Sequence, residues 1–369
     1  MNQAEQNYDE VDDTVITEET EETAEYKFDL TFYGADYPVD GLVTRLSKND
    51  IIIPSFDPIN DKAFEVEAFQ RKFIWTKFQC DRFIESLLLG LPVPGIFLVQ
   101  QSDKRLLVLD GQQRLLTLQA FYSGILNKKE FSLEHVQDEF NGMTYKDLDE
   151  DQRRTLDDAI IHATVIKKTQ ESQDLSSIYT LFERLNSGGT RLSPHEIRIA
   201  LAPGKLMHLI RKLNETEAWR AAFGKPSKNF KDHELVLRFI ALYFSVEPYK
   251  SPMKDFLTSY AIYNQNLEHD SEIDIEKAFT GAITTITKAI GTKPFRLTNA
   301  LNAAVFDSIM VGVAKRLKDG RPIDELKIKS AYEDLLMNEK YLSSVARATA
   351  REDQVAERLS LAEEAFKRT

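Results

Sequence analysis

The sequence predicts an α+β fold, in which a mixed α/β half precedes a mostly helical half. Two short apolar runs, Gly95 to Val99 and Arg105 to Leu109, flank a polar turn and are typical of neighbouring strands. From Lys205 onward, apolar residues recur at helical spacing in one segment after another. No internal repeat at solenoid spacing is present. We expect three parts: an acidic disordered tail over 1–30, an α/β domain over 31–215 and a helical domain over 216–369.

The individual elements follow from local signals. The run Asp50 to Ile53 predicts a short strand that ends at Pro54, and a helical stripe begins at Thr76 and stops at Gly90. A helix is predicted from Gln112 to Tyr122, closed by Gly124. The remaining predicted elements of this half are a helix over 149–158, a strand over 160–168, a helix over 175–185 and a helix that opens with the capping box Ser193-Pro194-His195-Glu196.

The negative charge is concentrated at the start of the chain. Residues 1–30 hold eleven acidic residues and one lysine, which is −10 of the total of −12, so residues 31–369 carry only −2. A folded part that is nearly neutral neither requires nor excludes a nucleic-acid partner. The tail is interpreted as a solubilising segment or, alternatively, as a nucleic-acid mimic that covers a basic groove of the same chain.

Several classes of protein are disfavoured by composition. No apolar run is long enough to cross a membrane and the start is acidic, so we expect a cytoplasmic protein without a membrane partner. The single cysteine, Cys80, excludes an internal disulfide and is expected to be a packing residue. The six histidines are scattered and none lies in residues 270–369, so we expect no metal site and no metal-activated nuclease in the helical half.

The sharpest local feature is the sequence Asp110-Gly111-Gln112-Gln113-Arg114. An apolar strand runs directly into it and an apolar helix leaves it, so its backbone N–H groups lie at a helix N-terminus that favours an anion. Arg114 can present a planar fork to a phosphate, and Gln112 and Gln113 add neutral donors. Asp110 could cap the helix, hold a metal or orient a water. The alternative is purely structural: Asp110 is an N-cap and Arg114 its salt-bridge partner.

Two flanking motifs could contribute to the same site. Gln70-Arg71 with Trp75 could bring a guanidinium and an indole face to a nucleotide, or Trp75 is a core residue and Arg71 pairs with a carboxylate such as Glu85. Arg184 and Asn186 precede Gly188-Gly189 and could face the turn as a polar loop, or Asn186 only bonds that turn. Farther along, Lys225, Lys228, Lys231 and Arg238 form a loose basic cluster that would suit a DNA backbone or a solvated loop.

These motifs resemble the N-terminal domain of the GmrSD-type, modification-dependent (type IV) restriction enzymes. The resemblance covers roughly residues 65 to 245. It is carried by the DGQQR motif at 110–114 and by Phe69-Gln70-Arg71, Phe182-Glu183-Arg184-Leu185-Asn186 and Leu192-Ser193-Pro194-His195-Glu196. The order of elements is also similar to the ParB/sulfiredoxin superfamily, in which a Gly-Glu-Arg-Arg box binds a triphosphate at this turn. Gln112 stands where sulfiredoxin has its reactive cysteine, so cysteine redox chemistry is not expected.

The resemblance implies a nucleotide-binding, NTP-hydrolysing sensor module of a prokaryotic DNA-restriction or phage-defence system. Its cofactor would be a nucleoside triphosphate, with or without Mg²⁺, and its partners DNA, modified or not, and a separate nuclease or effector. The catalytic candidates are Asp110 and Arg114, and the nucleotide-binding candidates are Arg71, Gly111, Gln112, Gln113, Arg114, Arg184 and Asn186. In the family a C-terminal histidine–asparagine–histidine domain cleaves the DNA, and from the scattered histidines we expect no such nuclease domain in this sequence. The alternative function is a non-catalytic module that binds DNA or a partner protein.

Overall fold

The computed structural model describes residues 15–16, 31–53, 75–101, 103–167, 173–185, 193–227 and 229–369. The chain divides into an α/β unit, Tyr26–Arg191, and a helical unit, Leu192–Thr369 together with Met1–Glu25. The predicted fold class is therefore confirmed, a sheet-containing first half followed by a mostly helical second half. The division falls at 191/192, whereas the sequence analysis places it at 215/216.

The described strands are β1 Val15–Ile16, β2 Thr31–Pro38, β3 Ile51–Ile52, β4 Ile96–Gln100, β5 Leu106–Asp110, β6 Ile125–Leu126, β7 Lys129–Glu130, β8 Ile160–Lys167 and β9 Leu301–Asn302. The described helices are α1 Val39–Ser47, α2 Lys77–Leu88, α3 Gln112–Ser123, α4 Glu150–Asp158, α5 Gln173–Leu185, α6 Pro194–Leu201, α7 Lys205–Asn214, α8 Glu217–Phe223, α9 Lys231–Ser245, α10 Met253–Tyr263, α11 Glu272–Ile290, α12 Ala303–Lys318, α13 Glu325–Met337, α14 Glu339–Ala346 and α15 Glu352–Phe366.

A five-stranded mixed sheet organises the α/β unit, in the order β2-β8-β4-β5-β3. β2 is antiparallel to β8, β8 is parallel to β4, and β4 is antiparallel to β5. Consequently the C-terminal ends of β2 and β5 lie at the same end of the sheet as the starts of β4 and β8. These four strands therefore bring residues that are far apart in sequence to one edge of the sheet.

The core of this unit lies between the sheet and helices α1 to α4. Buried apolar side chains of β4, β5 and β8, such as Leu98, Val108 and Val165, form one cluster with those of the helices. α2 begins at a complete capping box, in which the Thr76 hydroxyl accepts from the Gln79 N–H and the Gln79 side chain accepts from the Thr76 N–H. The capping box thus fixes the start of the helix that the apolar stripe predicts from Thr76.

The helical unit is built around α12. Thirteen of its sixteen residues are buried, from Ala303 through Ala314 together with Arg316, as expected for a helix surrounded by others. It packs against α9, α11 and α15. α6 belongs to this unit because Arg198 donates to Glu234 Oε2 at 2.7 Å and to Thr258 Oγ1 at 3.1 Å. The capping box predicted at Ser193 and Glu196 is confirmed by both of its hydrogen bonds.

Two residues of the acidic segment depart from the disordered tail that the charge pattern predicts. Val15 and Ile16 pair in parallel with Leu301 and Asn302, which adds β1 to β9. The acidic run is interrupted here by four β-branched residues, Thr14 to Thr17, which favour an extended backbone. The rest of 1–30 lies outside the described residues. No helix in the described part of the chain is long and apolar enough to cross a membrane.

Candidate anion site at the β5–α3 turn

The turn between β5 and α3 depends on a glycine. Gly111 is the N-cap of α3 and has a φ of 95°, in the left-handed region. A Cβ at this position would lie 2.4 Å from Ile96 Cγ2, so the strand β4 passes too close for any side chain. The first intrahelical bond runs from Leu115 N to Gly111 O, and no side chain caps the helix. The N–H groups of the first turn therefore have no intrahelical acceptor.

Asp110 and Arg114 form an ion pair one helical turn apart. Arg114 Nη2 donates to Asp110 Oδ2 at 2.8 Å and to the carbonyl oxygen of Gly95 at 2.9 Å. The interpretation of Asp110 as the N-cap is wrong, because Gly111 occupies that position. The interpretation of Arg114 as a salt-bridge partner is correct for this structure. Its guanidinium is fixed at the end of the sheet, mostly buried but with its carboxylate partner partly exposed.

Gln112, the first residue of α3, is the unusual side chain of the turn. It is 5% exposed, and neither its Nε2 nor its Oε1 has a hydrogen-bond partner among the described residues. An unpaired buried amide loses its hydration without compensation, at about 1–3 kcal/mol. Such groups are rare in folded proteins and call for an explanation.

Gln113 links the turn to α2. Its Oε1 accepts from the backbone N–H of Trp75 at 3.2 Å, immediately before the N-cap of α2. Trp75 itself packs against the hydrophobic core and meets Phe83 edge to face, with ring centroids 5.6 Å apart. Of the two interpretations of Trp75, the structure favours a core position.

Of the other three predicted site residues, Arg71, Arg184 and Asn186, only Arg184 lies within the described residues. Arg71 and Asn186 lie outside the described residues. Glu85, the carboxylate suggested as a partner of Arg71, accepts from Arg82 Nη1 and from the backbone N–H of Gln137, both at 2.7 Å. Arg184 lies in the last turn of α5 and is exposed. The assignment of Arg71, Arg184 and Asn186 to the nucleotide site stays a prediction.

Cys80 is a packing residue, as expected. Its side chain is fully buried in α2, and this burial raises the pKa of the thiol to about 11. A thiol held in its protonated form is a poor nucleophile. No group of three or more His, Cys, Asp or Glu side chains within the described ranges could hold a metal ion.

Arg238 does not belong to the basic cluster that the sequence suggests around Lys225 to Lys231. Arg238 is buried in α9, where its Nε and Nη2 donate to the two carboxylate oxygens of Asp307. Neither interpretation of the cluster, a DNA-binding surface or a solvated loop, fits Arg238, because its partner lies 69 residues away on α12 and could not be inferred from the sequence.

Sequence reasoning missed three residues at this end of the sheet: Gly95, His162 and Asp36. Gly95 stands just before β4, and a Cβ there would lie 2.7 Å from the His162 carbonyl oxygen. His162 Nδ1 lies 2.5 Å from Asp36 Oδ1 across the β2–β8 pair. The only sequence signal was the alternation of polar and apolar residues around His162, which predicts an exposed strand position.

The fold and the turn define an α/β module with a strand–glycine–helix junction of the kind that accepts anions. Residues 52–202 match the family model described as GmrSD restriction endonuclease, N-terminal domain, and this part of the chain belongs to that family. The resemblance to the GmrSD N-terminal domain inferred from sequence is thereby confirmed. The match suggests a component of a restriction or phage-defence system. Comparison with curated proteins and with solved structures gave no match.

Proposed function

We propose that the α/β unit binds and hydrolyses a nucleoside triphosphate at the Asp110–Arg114 turn, as the sensor module of a restriction or phage-defence system. DNA and a separate nuclease or effector are its proposed partners, in keeping with the family to which residues 52–202 belong. The single observation that carries the proposal is the buried, unpaired amide of Gln112 at the N-terminus of α3.

The unpaired amide of Gln112 distinguishes a purely structural turn from a turn that binds a ligand. A structural turn would satisfy Gln112 or replace it with an apolar residue, because an orphaned amide destabilises the fold by about 1–3 kcal/mol. A ligand that pairs with this amide, with the first-turn N–H groups and with the Arg114 guanidinium would recover that free energy on binding. A phosphate chain carries the negative charge and the acceptor oxygens that match these donors.

Each residue of the turn then has a role in the proposal. Gly111 allows the backbone to approach the phosphates, and Arg114 would neutralise charge that develops on the transferred phosphoryl group. Asp110 holds Arg114 in place through the 2.8 Å ion pair. Mg²⁺ would enter with the phosphates, which supply several of its ligands in nucleotide sites, and Asp110 is the carboxylate of the turn.

The test measures equilibrium binding of a fluorescent ATP analogue and the release of inorganic phosphate from ATP, GTP, CTP and UTP, with and without duplex DNA. Gln112→Leu keeps the side-chain volume and removes both unpaired atoms. We expect it to abolish binding while its melting temperature equals or exceeds that of the wild type. Arg114→Ala should abolish turnover of a protein that remains folded.

The matched control is Arg154→Ala, because Arg154 and Asp151 form an exposed ion pair at helical spacing in the same unit. This variant should bind and turn over nucleotide as the wild type does. Binding and turnover that are unchanged in Gln112→Leu and Arg114→Ala would overturn the proposal. Wild-type protein that binds no nucleotide but binds DNA with a strong salt dependence would replace it with the non-catalytic DNA-binding function.

A further inference from the structure

The sheet brings a second pair of chemically active side chains to the end that carries the Asp110–Arg114 turn. His162 is near the start of β8, and Asp36 is near the end of β2 and directly opposite it in register. β5 ends at Asp110 on the same side, because it is antiparallel to β4, and β4 is parallel to β8. Asp36, His162 and Asp110 therefore lie at the same edge of the sheet, although they are far apart in sequence.

His162 and Asp36 form an oriented imidazole–carboxylate dyad. The Nδ1 atom lies 2.5 Å from Asp36 Oδ1, and Asp36 as a carboxylate accepts the Nδ1 proton. In the neutral ring this bond fixes the tautomer with the proton on Nδ1, so that Nε2 carries the lone pair. The side chains are 74% and 64% exposed, whereas the neighbours Ile161 and Ala163 are buried, so the ring is open to a ligand from solvent.

Gly95 connects the dyad to the turn. Its carbonyl oxygen accepts from Arg114 Nη2 at 2.9 Å, and its Cα is packed against the His162 backbone so closely that a Cβ would lie 2.7 Å from the His162 carbonyl oxygen. Gly95 therefore contacts both the Arg114 guanidinium and the backbone of β8 at His162. Neighbouring strands are about 4.8 Å apart, so a triphosphate bound at the turn could extend across Gly95 to the imidazole.

We infer that His162, positioned by Asp36, is the proton acceptor for the water that attacks the γ-phosphorus. This inference rests on the proposed function. Nε2 takes one proton from the water as the oxygen–phosphorus bond forms, and the bond between the γ-phosphorus and the β,γ-bridging oxygen breaks. The products are a nucleoside diphosphate and inorganic phosphate, and the imidazolium returns its proton to solvent. No oxidant or second substrate is needed.

The competing explanation is a cross-strand pair that merely stabilises β2 against β8. Exposed pairs of this kind contribute little to stability. Under this explanation, replacing His162 would leave the kinetics of phosphate release unchanged. The two explanations therefore differ in a measurement of turnover and do not depend on a measurement of stability.

The test compares wild type, His162→Ala, Asp36→Asn and Arg114→Ala in steady-state phosphate release, with nucleotide binding measured separately. We expect His162→Ala to lower kcat about 100-fold, the scale of general-base catalysis, while the binding affinity stays within threefold. Free imidazole should restore turnover to His162→Ala, since the exposed position can be filled from solvent, but not to Arg114→Ala. Asp36→Asn should lower kcat with KM unchanged, because Asp36 acts on the orientation of the ring.

The control is His269→Ala, which removes an exposed histidine of the helical unit and should leave kcat unchanged. Turnover of His162→Ala within threefold of wild type would overturn the inference and leave the proposed function standing. A wild-type protein that binds ATP, loses binding in Gln112→Leu and releases no phosphate would overturn the inference and the hydrolytic part of the proposed function, and would leave only nucleotide binding at the turn. A wild type that neither binds nor hydrolyses nucleotide would overturn both.

Discussion

Gln112 and Arg114 are two residues apart on α3 but satisfy their polar atoms in different ways. Arg114 has its Nη2 committed to Asp110 and Gly95, whereas both polar atoms of the Gln112 amide are unpaired. A ligand at the turn would therefore gain the Gln112 pairings outright but compete with Asp110 for the guanidinium. Affinity should depend more on Gln112, and neutralisation of transition-state charge on Arg114.

At the residue scale, the turn also tests the role of Gly111. Gly111→Ala combines a left-handed backbone with a Cβ 2.4 Å from Ile96 Cγ2. We expect a loss of about 2–4 kcal/mol in the free energy of unfolding, of which about 1 kcal/mol comes from the backbone conformation and the rest from overpacking. Urea denaturation with global unfolding as the readout measures this directly.

The matched control for the backbone contribution is Gly124→Ala. Gly124 ends the same helix with a φ of 75°, but nothing lies within 4 Å of the position that a Cβ would occupy. Gly124→Ala should lower the free energy of unfolding by about 1 kcal/mol, the contribution of the backbone conformation alone. Equal losses in the two variants would show that β4 can move away from the turn, and that the close approach of Ile96 is not a constraint.

At the scale of elements, what could be predicted from sequence depended on how local the signal was. The helix that begins at Ser193 was predicted from its capping box, and the helix that begins at Thr76 from its stripe of apolar residues. Both signals lie within a few residues of the helix that they predict. β2 and α1 were not predicted, because β2 is an exposed edge strand without alternation and Pro38 closes it just where α1 begins. An edge strand is specified by its partner, β8, which lies more than 120 residues away.

The same distinction holds within the candidate site. The turn Asp110–Arg114 is contiguous, so strand, glycine and helix were all visible in five residues. The link from Arg114 to Gly95 spans 19 residues and the dyad of His162 with Asp36 spans 126. Both are created by strand pairing, and without the register of the sheet no local pattern indicates them.

A buried charge cluster ties three elements of the helical unit together. Asp307 on α12 accepts from Arg238 on α9 at 2.7 Å and from Arg358 on α15 at 3.0 Å, and all three side chains are almost fully buried. Asp307→Asn would leave two buried guanidinium groups without their carboxylate. We expect it to lower the free energy of unfolding by about 3 kcal/mol or more, measured by urea denaturation.

The control for this variant is Asp353→Asn, which removes a carboxylate from the exposed pair with Arg351 at the start of α15. Its denaturation midpoint should equal that of the wild type, because exposed pairs are screened by solvent. An Asp307→Asn midpoint that also matches the wild type would mean that the three helices are held by apolar packing alone.

At the scale of the whole molecule, the two units differ in the surroundings of their histidines. Burial lowers the pKa of His233 to about 4, and burial also places the pKa of His195 well below its ordinary value. Both residues belong to the helical unit, on α9 and α6. Among the described histidines of the α/β unit, His135 and His162 each contact an aspartate instead.

This difference predicts that acid destabilises the helical unit selectively. A histidine whose folded pKa lies below its unfolded value of about 6.5 contributes stability that is complete above pH 6.5 and is lost as the pH falls toward the folded pKa. We expect a loss of about 2 kcal/mol from His233 by pH 4.5, and a further loss in the same direction from His195. The chain offers a probe for each unit, because its two tryptophans are Trp75 in the α/β unit and Trp219 in the helical unit.

The measurement is urea denaturation between pH 7 and 4.5, followed by tryptophan fluorescence in Trp75→Phe and in Trp219→Phe. In Trp75→Phe, the signal of Trp219 should report a free energy of unfolding that falls as the pH is lowered, because the unfolded chain binds more protons than the folded helical unit. Adding His233→Gln should weaken this pH dependence by about one proton, because one of the histidines that become charged on unfolding is gone. A slope that His233→Gln leaves unchanged would mean that His233 is protonated in the folded protein as readily as in the unfolded chain, and that burial does not hold it neutral.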